Sequence, residues 1–442
     1  MNESEKNLEE QETAYQYQKN IIKLYAKYIN KPKTTFFKSL GLAVAQGKRD
    51  GIYLSTLAGN RKKNAPIKFI DCRTSGGVFN FGHHNLKLVN ILKEALDKGL
   101  DIGDHHMISE QRALLARDLA EILPGNISKT QFCVGGGEAI DLSLKLARAF
   151  TKRKKIISAN RAYHGVTGLA MSVGSERFYS PFQTDISDFI HVPFGDLDKT
   201  LNAIDESTAA VILETIPATG GILIPPPGYL RAVKQRCEET GALYIADEVQ
   251  AGLGRTGELW AVDGGIYPDE RVVPDIMVLA KGMSAGLYPL ATCSYRAEIE
   301  SVFEEDPFLH ISTTGGSEVG CYVTRKMLKM LTAPGFLDNV KERGAQLQKG
   351  LLEIQEKRSD IVKEIRGRGL MWGMEFINNR LSIGYTLYMI QNEIFADYCG
   401  NNEATIKLMP PLITNSKEIE EIIRRLEIAV EKLPSPKKEG TN

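Results

Sequence analysis

Residues 243–247, Leu-Tyr-Ile-Ala-Asp, and residues 276–281, Ile-Met-Val-Leu-Ala-Lys, are two short apolar runs that each lead into one ionisable residue. Glycine, proline and acidic residues bound both runs, which is typical of buried strands in a parallel sheet. In an open parallel sheet, ligands bind beyond the carboxyl ends of the strands. The two runs therefore predict that Asp247 and Lys281 project into one crevice.

This pair has the chemistry that pyridoxal phosphate requires. An amine forms an imine with an aldehyde only when it is neutral, and burial beside other positive charge lowers the pKa of a lysine. A carboxylate at the nitrogen of the pyridine ring keeps that ring protonated and a strong electron sink. The small residues at 282–286, Gly-Met-Ser-Ala-Gly, allow a flat ligand to approach the backbone. The alternative interpretation is that Asp247 caps a turn and Lys281 is solvated.

Length and composition limit the possible classes. The chain has 442 residues, enough for two domains or for one large domain with a smaller one. Its 55 basic residues equal its 55 acidic residues, so the overall charge does not indicate nucleic acid as a partner. Six scattered cysteines without a Cys-x-x-Cys pair indicate reduced thiols, and no apolar run approaches the length of a membrane span. We expect a cytoplasmic protein that binds neither nucleic acid nor membrane.

The region 130–290 repeats the order strand, helix, strand, which predicts an α/β fold with a parallel-rich sheet between helices. Within it, the strand-like residues 130–134 lead into Gly135-Gly-Gly-Glu and a helix. Free backbone N–H groups at a helix start favour an anion, so Gly136 and Gly137 are candidate phosphate ligands. The alternative is that these glycines only allow close packing. Further along the chain, Tyr163 is a candidate for stacking on a ring, and Glu214 ends another buried strand.

The sequence divides into four parts. Residues 1–82 are predicted to hold a helix and a small meander, residues 83–319 a large domain, and residues 320–433 a small α+β domain with long amphipathic helices. Residues 434–442 are rich in proline and charge, and we expect them to be disordered.

With these motifs in place, the chain resembles the class III aminotransferases, the ornithine and 4-aminobutyrate group of pyridoxal phosphate enzymes, over roughly residues 40–433. The strongest match joins Asp-Glu-Val-Gln-Ala-Gly-Leu-Gly-Arg-Thr-Gly at 247–257 to Lys-Gly-Met-Ser-Ala-Gly-Leu-Tyr-Pro-Leu at 281–290. The resemblance implies the aspartate-aminotransferase-like fold of pyridoxal phosphate transferases. In that fold a mostly parallel seven-stranded sheet forms the large domain, and the N- and C-terminal segments form the small one.

The resemblance also implies residue roles. Lys281 would be the Schiff-base lysine and would carry the proton between the substrate Cα and the cofactor, while Asp247 would hold the pyridinium nitrogen. The other implied cofactor contacts are Val249 and Tyr163 on the two ring faces, Gln250 near the ring hydroxyl, and the backbone of Gly136 and Gly137 at the phosphate. Thr313 would reach the phosphate of the neighbouring subunit, which implies a homodimer with shared active sites.

On the substrate side, the resemblance implies that Arg366 grips a carboxylate, with Glu214 close by. The alternative for Arg366 is a structural salt bridge. Family members that handle terminal amines commonly read Glu-Pro-x-Gln-Gly-Glu-Gly-Gly where this chain has Glu-Thr-Ile-Pro-Ala-Thr-Gly-Gly at 214–221, so Thr219 replaces an acid that could neutralise the arginine. We therefore hypothesise that Arg366 stays available for a carboxylate in both half-reactions or is paired elsewhere. Either case weakens an assignment to ornithine, 4-aminobutyrate or diamine substrates.

These features predict an aminotransferase that moves an amino group between an amino acid donor and a keto acid or aldehyde acceptor. The alternatives are an amino-acid racemase, epimerase or aminomutase of the same family, and a non-catalytic α/β protein that binds a sugar or nucleotide. His83 and His84, with His105 and His106, form two adjacent pairs, but no third ligand has the spacing for a metal. We expect these histidines to be structural.

Overall fold

The computed structural model describes residues 3–59, 65–103 and 106–435. Its α-helices are α1 (Glu3–Tyr28), α2 (Lys31–Ser39), α3 (Leu86–Asp97), α4 (Glu110–Ala120), α5 (Gly136–Thr151), α6 (Gly168–Ser172), α7 (Glu176–Tyr179), α8 (Leu197–Ala203), α9 (Tyr229–Thr240), α10 (Glu318–Leu331), α11 (Phe336–Lys357), α12 (Asn379–Gln391) and α13 (Ser416–Glu431). Its strands are β1 (Gln46–Asp50), β2 (Tyr53–Thr56), β3 (Lys68–Asp71), β4 (Ile127–Cys133), β5 (Lys155–Ala159), β6 (Phe189–Val192), β7 (Thr208–Glu214), β8 (Leu243–Asp247), β9 (Ile276–Leu279), β10 (Ala291–Arg296), β11 (Val362–Arg368), β12 (Met371–Phe376), β13 (Ile394–Phe395), β14 (Asp397–Cys399) and β15 (Asn402–Leu408).

A seven-stranded sheet forms the centre of the molecule, in the order β4-β10-β9-β8-β7-β5-β6. Strand β10 runs antiparallel to both of its neighbours, and the other neighbouring strands pair in parallel. The apolar runs that lead to Asp247 and Lys281 form β8 and β9, which are adjacent and buried along their whole lengths. The prediction of an α/β fold with a mostly parallel seven-stranded sheet is confirmed.

Helices cover both faces of this sheet, which explains why its central strands carry no polar face. Along β8, Leu243 and Ile245 belong to the apolar cluster that includes α5, whereas Tyr244 and Ala246 belong to the cluster that includes α9. Because successive side chains of a strand point to opposite faces, each strand contributes to both cores. Because both faces of the sheet are packed, the carboxyl ends of its central strands are held in fixed positions.

Two smaller sheets flank the central one. The meander β1-β2-β3 is completed by β13, which pairs in parallel with β3, and the strands β11-β12-β15-β14 form an antiparallel sheet. Helix α1 begins at Glu3 and precedes this meander in the chain.

The domain boundaries at residues 82, 319 and 433 stay predictions, and residues 436–442 of the predicted disordered tail lie outside the described residues. Among residues 3–59, 65–103 and 106–435, no helix combines the length and the apolar character needed to cross a membrane.

Arg255 joins distant parts of the chain. Its side chain is fully buried; Nη1 donates to the carbonyl oxygens of Leu370 and Pro410, and Nη2 donates to Oδ1 of Asn80. Burial lowers the pKa of the guanidinium to about 9. The loop that follows β8 is thereby tied to both the N-terminal and the C-terminal segments.

Candidate active site

A cavity of about 450 Å³ lies beyond the carboxyl ends of β7, β8 and β9. Asp247 is the last residue of β8, and Lys281 follows β9 after a single alanine. Both residues line the cavity, together with Glu214, which is the register partner of Asp247 at the end of β7. The crevice expected from the two apolar runs is present, and it contains both ionisable residues.

The carboxylate of Asp247 is held on both oxygens and is 4% exposed. Oδ1 accepts a hydrogen bond from the Val249 backbone N–H at 3.0 Å, and Oδ2 lies 2.7 Å from His164 Nδ1. His164 is itself buried, and its Nε2 has no partner among the described residues. Sequence reasoning missed His164 because a Tyr-His pair alone predicts only a packed loop; its place directly after Tyr163 was the available signal.

Lys281 has an unusual backbone conformation, and the pKa of its side-chain amine is shifted. Its φ of 46° lies in the left-handed region, which non-glycine residues rarely adopt. Burial lowers the pKa of its amine to about 8, although the charge of Asp247 opposes this and that of nearby Lys407 reinforces it. The pKa therefore leaves an appreciable fraction of neutral, nucleophilic amine near neutral pH.

A left-handed turn closes over Lys281. Thr74, Ser75, Gly76 and Gly77 have φ angles of 46°, 51°, 71° and 104°, and the Thr74 hydroxyl fixes the turn by donating to the Met409 carbonyl at 2.8 Å. A Cβ atom on Gly76 would lie 2.9 Å from Gln250 Oε1 and 3.3 Å from Lys281 Cε. Strained backbone of this kind concentrates at functional sites, and here it brings the chain against the candidate nucleophile.

The start of α5 has the features of a phosphate cradle. Gly135 at the N-cap supplies no side-chain hydrogen bond, so the first N–H groups of this 16-residue helix are free to bind an anion. A Cβ atom on Gly136 would meet the Ala280 Cβ at 3.3 Å, and one on Gly137 would meet Thr167 Oγ1 at 2.7 Å. Only glycine fits at Gly137 without a shift of its neighbour.

Further residues line the same cavity in positions suited to a flat ring. Val249, Gln250 and Tyr163 all contribute to its walls, and the Tyr163 ring packs edge-on against Phe178 at 5.2 Å between centroids. With an apolar wall, an aromatic wall, a fixed carboxylate and an uncapped helix start, the residues present fit pyridoxal phosphate (PLP).

Glu214 lines the cavity, and both of its carboxylate oxygens accept hydrogen bonds from backbone N–H groups. Its Oε1 accepts from the Tyr163 N–H at 2.9 Å, and its Oε2 accepts from the Ala218 N–H at 3.3 Å. Burial raises the pKa of this carboxyl group to about 7, and the neighbouring Asp247 contributes to the rise. The contacts indicate that Glu214 orients the loops that carry Tyr163 and Ala218.

Arg366 is paired inside the protein. Nη1 lies 2.7 Å from Glu364 and 2.6 Å from Glu375, Nε donates to the Gly221 carbonyl at 2.8 Å, and Nη2 donates to Thr405 Oγ1 at 3.1 Å. The side chain is buried and does not line the cavity. Arg366 thus has acidic partners within its own sheet, and its role toward a substrate carboxylate stays a prediction.

Lys407 of β15 is a cation that sequence reasoning missed. Its side chain is half-buried, its charge acts on Lys281, and within residues 3–59, 65–103 and 106–435 it has no carboxylate at ion-pair distance. An alternating strand pattern does not reveal which side chain reaches a site on another element, so this lysine carried no signal of its own.

Thr313 is exposed and does not line the cavity of its own chain. Of the four histidines expected to be structural, His83 is buried and lies 2.8 Å from Asp71, whereas His105 lies outside the described residues. The structure also brings together Cys133, Glu138 and His310, whose potential ligand atoms lie within 4.8 Å of one another. The ammonium of Lys145 lies 3.4 Å from His310 Nδ1, which places positive charge against this group.

Comparison with known proteins agrees with this geometry. The family model of class III aminotransferases matches residues 43–430. A relative described as an uncharacterized aminotransferase from Archaeoglobus fulgidus is 42% identical over 411 residues, which are 93% of this chain and 94% of the relative. A transaminase from the marine bacterium Virgibacillus is 26% identical, with a TM-score of 0.80 over 88% of this chain and 93% of that chain.

An ornithine aminotransferase from Toxoplasma gondii, described with partial occupancy of PLP at its active site, is likewise 26% identical. Its TM-score is 0.79, with 88% of this chain and 90% of that chain covered. These similarities confirm the predicted fold, the enzyme class and the cofactor. The chain therefore belongs to the class III aminotransferases and is a PLP-dependent enzyme.

Proposed function

We propose that the enzyme moves an amino group between an amino acid donor and a keto acid or aldehyde acceptor, and that Lys281 performs the covalent and proton-transfer chemistry. One observation carries the proposal: Lys281 and Asp247 line a single cavity at adjacent strand ends, and the lysine pKa is lowered to about 8. A solvated surface lysine would have neither property.

The proposed roles follow from the contacts of each residue. When bound, the cofactor supplies an aldehyde carbon and an electron-withdrawing ring. Lys281 would hold the aldehyde through its neutral amine, and the same amine would serve as the base that takes the proton from the substrate Cα. Asp247, oriented by His164, holds the ring nitrogen in its protonated form. The N–H groups of Gly136 and Gly137 bind the phosphate.

For the substrate carboxylate we propose Lys407 in place of Arg366. The guanidinium of Arg366 already has two carboxylates, a carbonyl and a hydroxyl as partners, so a further carboxylate would have to displace one of them. Lys407, which like Arg366 does not line the cavity, has Asp397 as its register partner on β14 but no carboxylate at ion-pair distance among the described residues, and its charge acts on Lys281. Glu214 then acts as a positioning residue through the backbone of Tyr163 and Ala218 rather than as a direct ligand of the substrate.

We propose a cytoplasmic homodimer in which Thr313 of each subunit completes the phosphate site of the other. The exposure of Thr313 outside its own cavity supports this arrangement. All six cysteines are unpaired and buried, which suits a reducing compartment.

The test is an absorbance spectrum of the purified protein before and after addition of single amino acids. A visible band that bleaches with one amino acid, together with release of the corresponding keto acid, supports transamination and identifies the donor. A band that persists while deuterium from the solvent enters the α-position supports a racemase or epimerase instead. The variant Lys281→Ala should retain cofactor and lose turnover by orders of magnitude; retained turnover would refute the role of Lys281.

A further inference from the structure

A second cavity lies outside the active site, where the central sheet meets the C-terminal sheet β11-β12-β15-β14. Its volume is about 800 Å³, and it is lined by the loop after β5, by α7, by His191 of β6, by the start of α12 and by the turn between β14 and β15. None of its lining residues also lines the active-site cavity. The second cavity is therefore a separate place at which a small molecule can bind.

Four charged side chains line the second cavity, and they are not paired with each other. Arg161 and Arg177 supply two positive charges. Glu176 and Glu403 supply two negative charges, and all four residues are exposed. Within the part of the chain that the structure describes, none of the four forms an ion pair. A wall that carries both signs without closing into pairs suits a ligand that also carries both.

Neutral groups hold two of these charges in place. Nη1 of Arg177 donates to the Gly400 carbonyl at 2.5 Å, and the guanidinium carbon lies 5.2 Å from the centroid of the Phe178 ring. Oε2 of Glu403 accepts a hydrogen bond from Asn379 Nδ2 at 3.4 Å. Such contacts orient a charge without neutralising it, so the charge stays available to a ligand.

Amides make up much of the remaining wall. Five of the fourteen lining residues are asparagines, whose side chains both donate and accept hydrogen bonds. Oδ1 of Asn401 is buried and has no hydrogen-bond partner among the described residues. Because buried polar atoms are nearly always paired, this oxygen is an acceptor that a donor from outside the chain would satisfy. Tyr179, stacked on His191 with 5.9 Å between ring centroids, adds an aromatic surface.

The second cavity is connected to the active site through the backbone. Nδ2 of Asn401 donates to the carbonyl oxygens of Arg161 at 2.8 Å and of Ala162 at 3.2 Å, directly before Tyr163. The Asn401 N–H donates to the Thr219 carbonyl at 3.0 Å. Arg161 itself has a φ of 64°, in the left-handed region. The turn between β14 and β15 thus holds the loop that presents Tyr163 to the active site.

We propose that the second cavity binds a free amino acid as an effector of the enzyme. The carboxylate of the effector binds at Arg161 and Arg177, and its ammonium group binds at Glu176 and Glu403. A ligand in this position spans the loop after β5 and the turn between β14 and β15, so it stabilises the contact that holds Tyr163. Because coupling between two sites is reciprocal, the effector tightens cofactor binding. This regulation goes beyond the proposed transamination, which concerns the active site alone.

Other ligand classes match the second cavity less well. An inorganic anion would meet the two arginines, but the two glutamates on the same wall would repel it. A neutral sugar would use the asparagines and the aromatic surface, yet it would leave all four charges without a partner. A zwitterion uses both signs of charge and the amides.

The experiment is equilibrium dialysis of the full-length enzyme loaded with pyridoxamine phosphate, the aminated cofactor, which does not react with amino acids. The probe is a mixture of the protein amino acids, and mass spectrometry identifies those retained. We expect saturable binding of a particular amino acid. Each arginine contributes about a ten-fold factor, so Arg161→Gln/Arg177→Gln should bind it about 100-fold more weakly. The matched control, Arg231→Gln/Arg424→Gln, removes two exposed arginines from α9 and α13 and should bind like the wild type.

A second variant tests the class of ligand. Glu176→Gln/Glu403→Gln should bind the amino acid about ten-fold more weakly or worse, because the ammonium group loses its partners. Normal binding by this variant, together with displacement of the amino acid by inorganic phosphate, would identify an anion site and overturn the proposal. No retained amino acid, or equal retention by the wild type and Arg161→Gln/Arg177→Gln, would overturn it as well.

Cofactor release reports the coupling between the two sites. The rate at which the diluted enzyme loses pyridoxamine phosphate, followed by fluorescence, should fall about five-fold or more when the retained amino acid is added. In Arg161→Gln/Arg177→Gln the amino acid should leave this rate unchanged. An unchanged rate in the wild type would refute the role as an effector. Both measurements use an enzyme form that does not turn over, so a failure of the proposed transamination would not alter their outcome.

Discussion

Replacement of Lys407 by glutamine would test how the active site recognises its substrate. The variant removes one positive charge, keeps a side chain of similar length on β15 and leaves the ion pairs of Arg366 in place. A hydrogen bond to a charged group contributes about 1.5–3 kcal/mol. We therefore expect kcat/KM for a carboxylate-bearing donor to fall about 10- to 100-fold, mostly through KM.

The assay is steady-state turnover with the donor identified from the absorbance spectrum and with an amine of similar shape that lacks the carboxylate. The amine should react equally well with the wild type and with Lys407→Gln. The paired control is Arg366→Gln, which removes the guanidinium bound to Glu364 and Glu375 and leaves Glu375 with Lys363 as its remaining ion-pair partner. It should lower the free energy of unfolding by about 1–3 kcal/mol with little change in KM. The reasoning is refuted if Lys407→Gln keeps the wild-type KM and a folded Arg366→Gln raises it.

Other consequences of the structure can be measured directly. Gly137→Ala, whose new Cβ would lie 2.7 Å from Thr167 Oγ1, should weaken cofactor binding about 10-fold or more in a fluorescence titration. Gly400→Ala, whose new Cβ would lie 3.6 Å from Thr219 Cγ2 and outside the active-site cavity, is the control and should bind cofactor normally. Because the pKa of Lys281 is lowered to about 8, the rate at which cofactor-free enzyme captures PLP should rise about tenfold per pH unit below that value and level off above it; a rise that continues to the ordinary lysine pKa would contradict the lowered value. Glu248→Ala removes a buried carboxylate that accepts from the Thr215 hydroxyl and from the N–H groups of Ala261 and Val262, so the free energy of unfolding should fall by about 3–6 kcal/mol in denaturant titrations. The exposed Glu206→Ala should change it by less than about 0.5 kcal/mol, and equal effects of the two variants would rule out the proposed cause.

The sequence was informative where local pattern and chemistry coincide. Short apolar runs predict buried strands. In a parallel sheet, the residue at the carboxyl end of such a strand lies at the edge where ligands bind. The sequence alone therefore predicted that Asp247 and Lys281 lie in one cavity. Gly136 and Gly137 were accessible for the same reason, because a glycine-rich turn between a strand and a helix has a recognisable composition.

Partnerships across elements could not be predicted in this way. Arg366 is neutralised by Glu364 on its own strand and by Glu375 on the next, and only the register of β11 and β12 brings these three side chains together. The left-handed conformation of Thr74 and Ser75 likewise has no sequence signal, because both residues usually avoid it. Such features depend on the surrounding structure, which holds them in place.

The buried guanidinium of Arg255 limits how the enzyme can open. Its three hydrogen-bond partners belong to the N-terminal loop near Asn80, to the turn before β12 and to the segment after β15. Any hinge motion that moved the C-terminal sheet as a unit would separate this buried charge from the carbonyl oxygens of Leu370 and Pro410, two of its three partners, at a cost of several kcal/mol. Substrate and product must therefore exchange through motions of surface loops or through a rotation that has Arg255 as its pivot. The strands and turns that carry the catalytic groups stay rigid during this exchange.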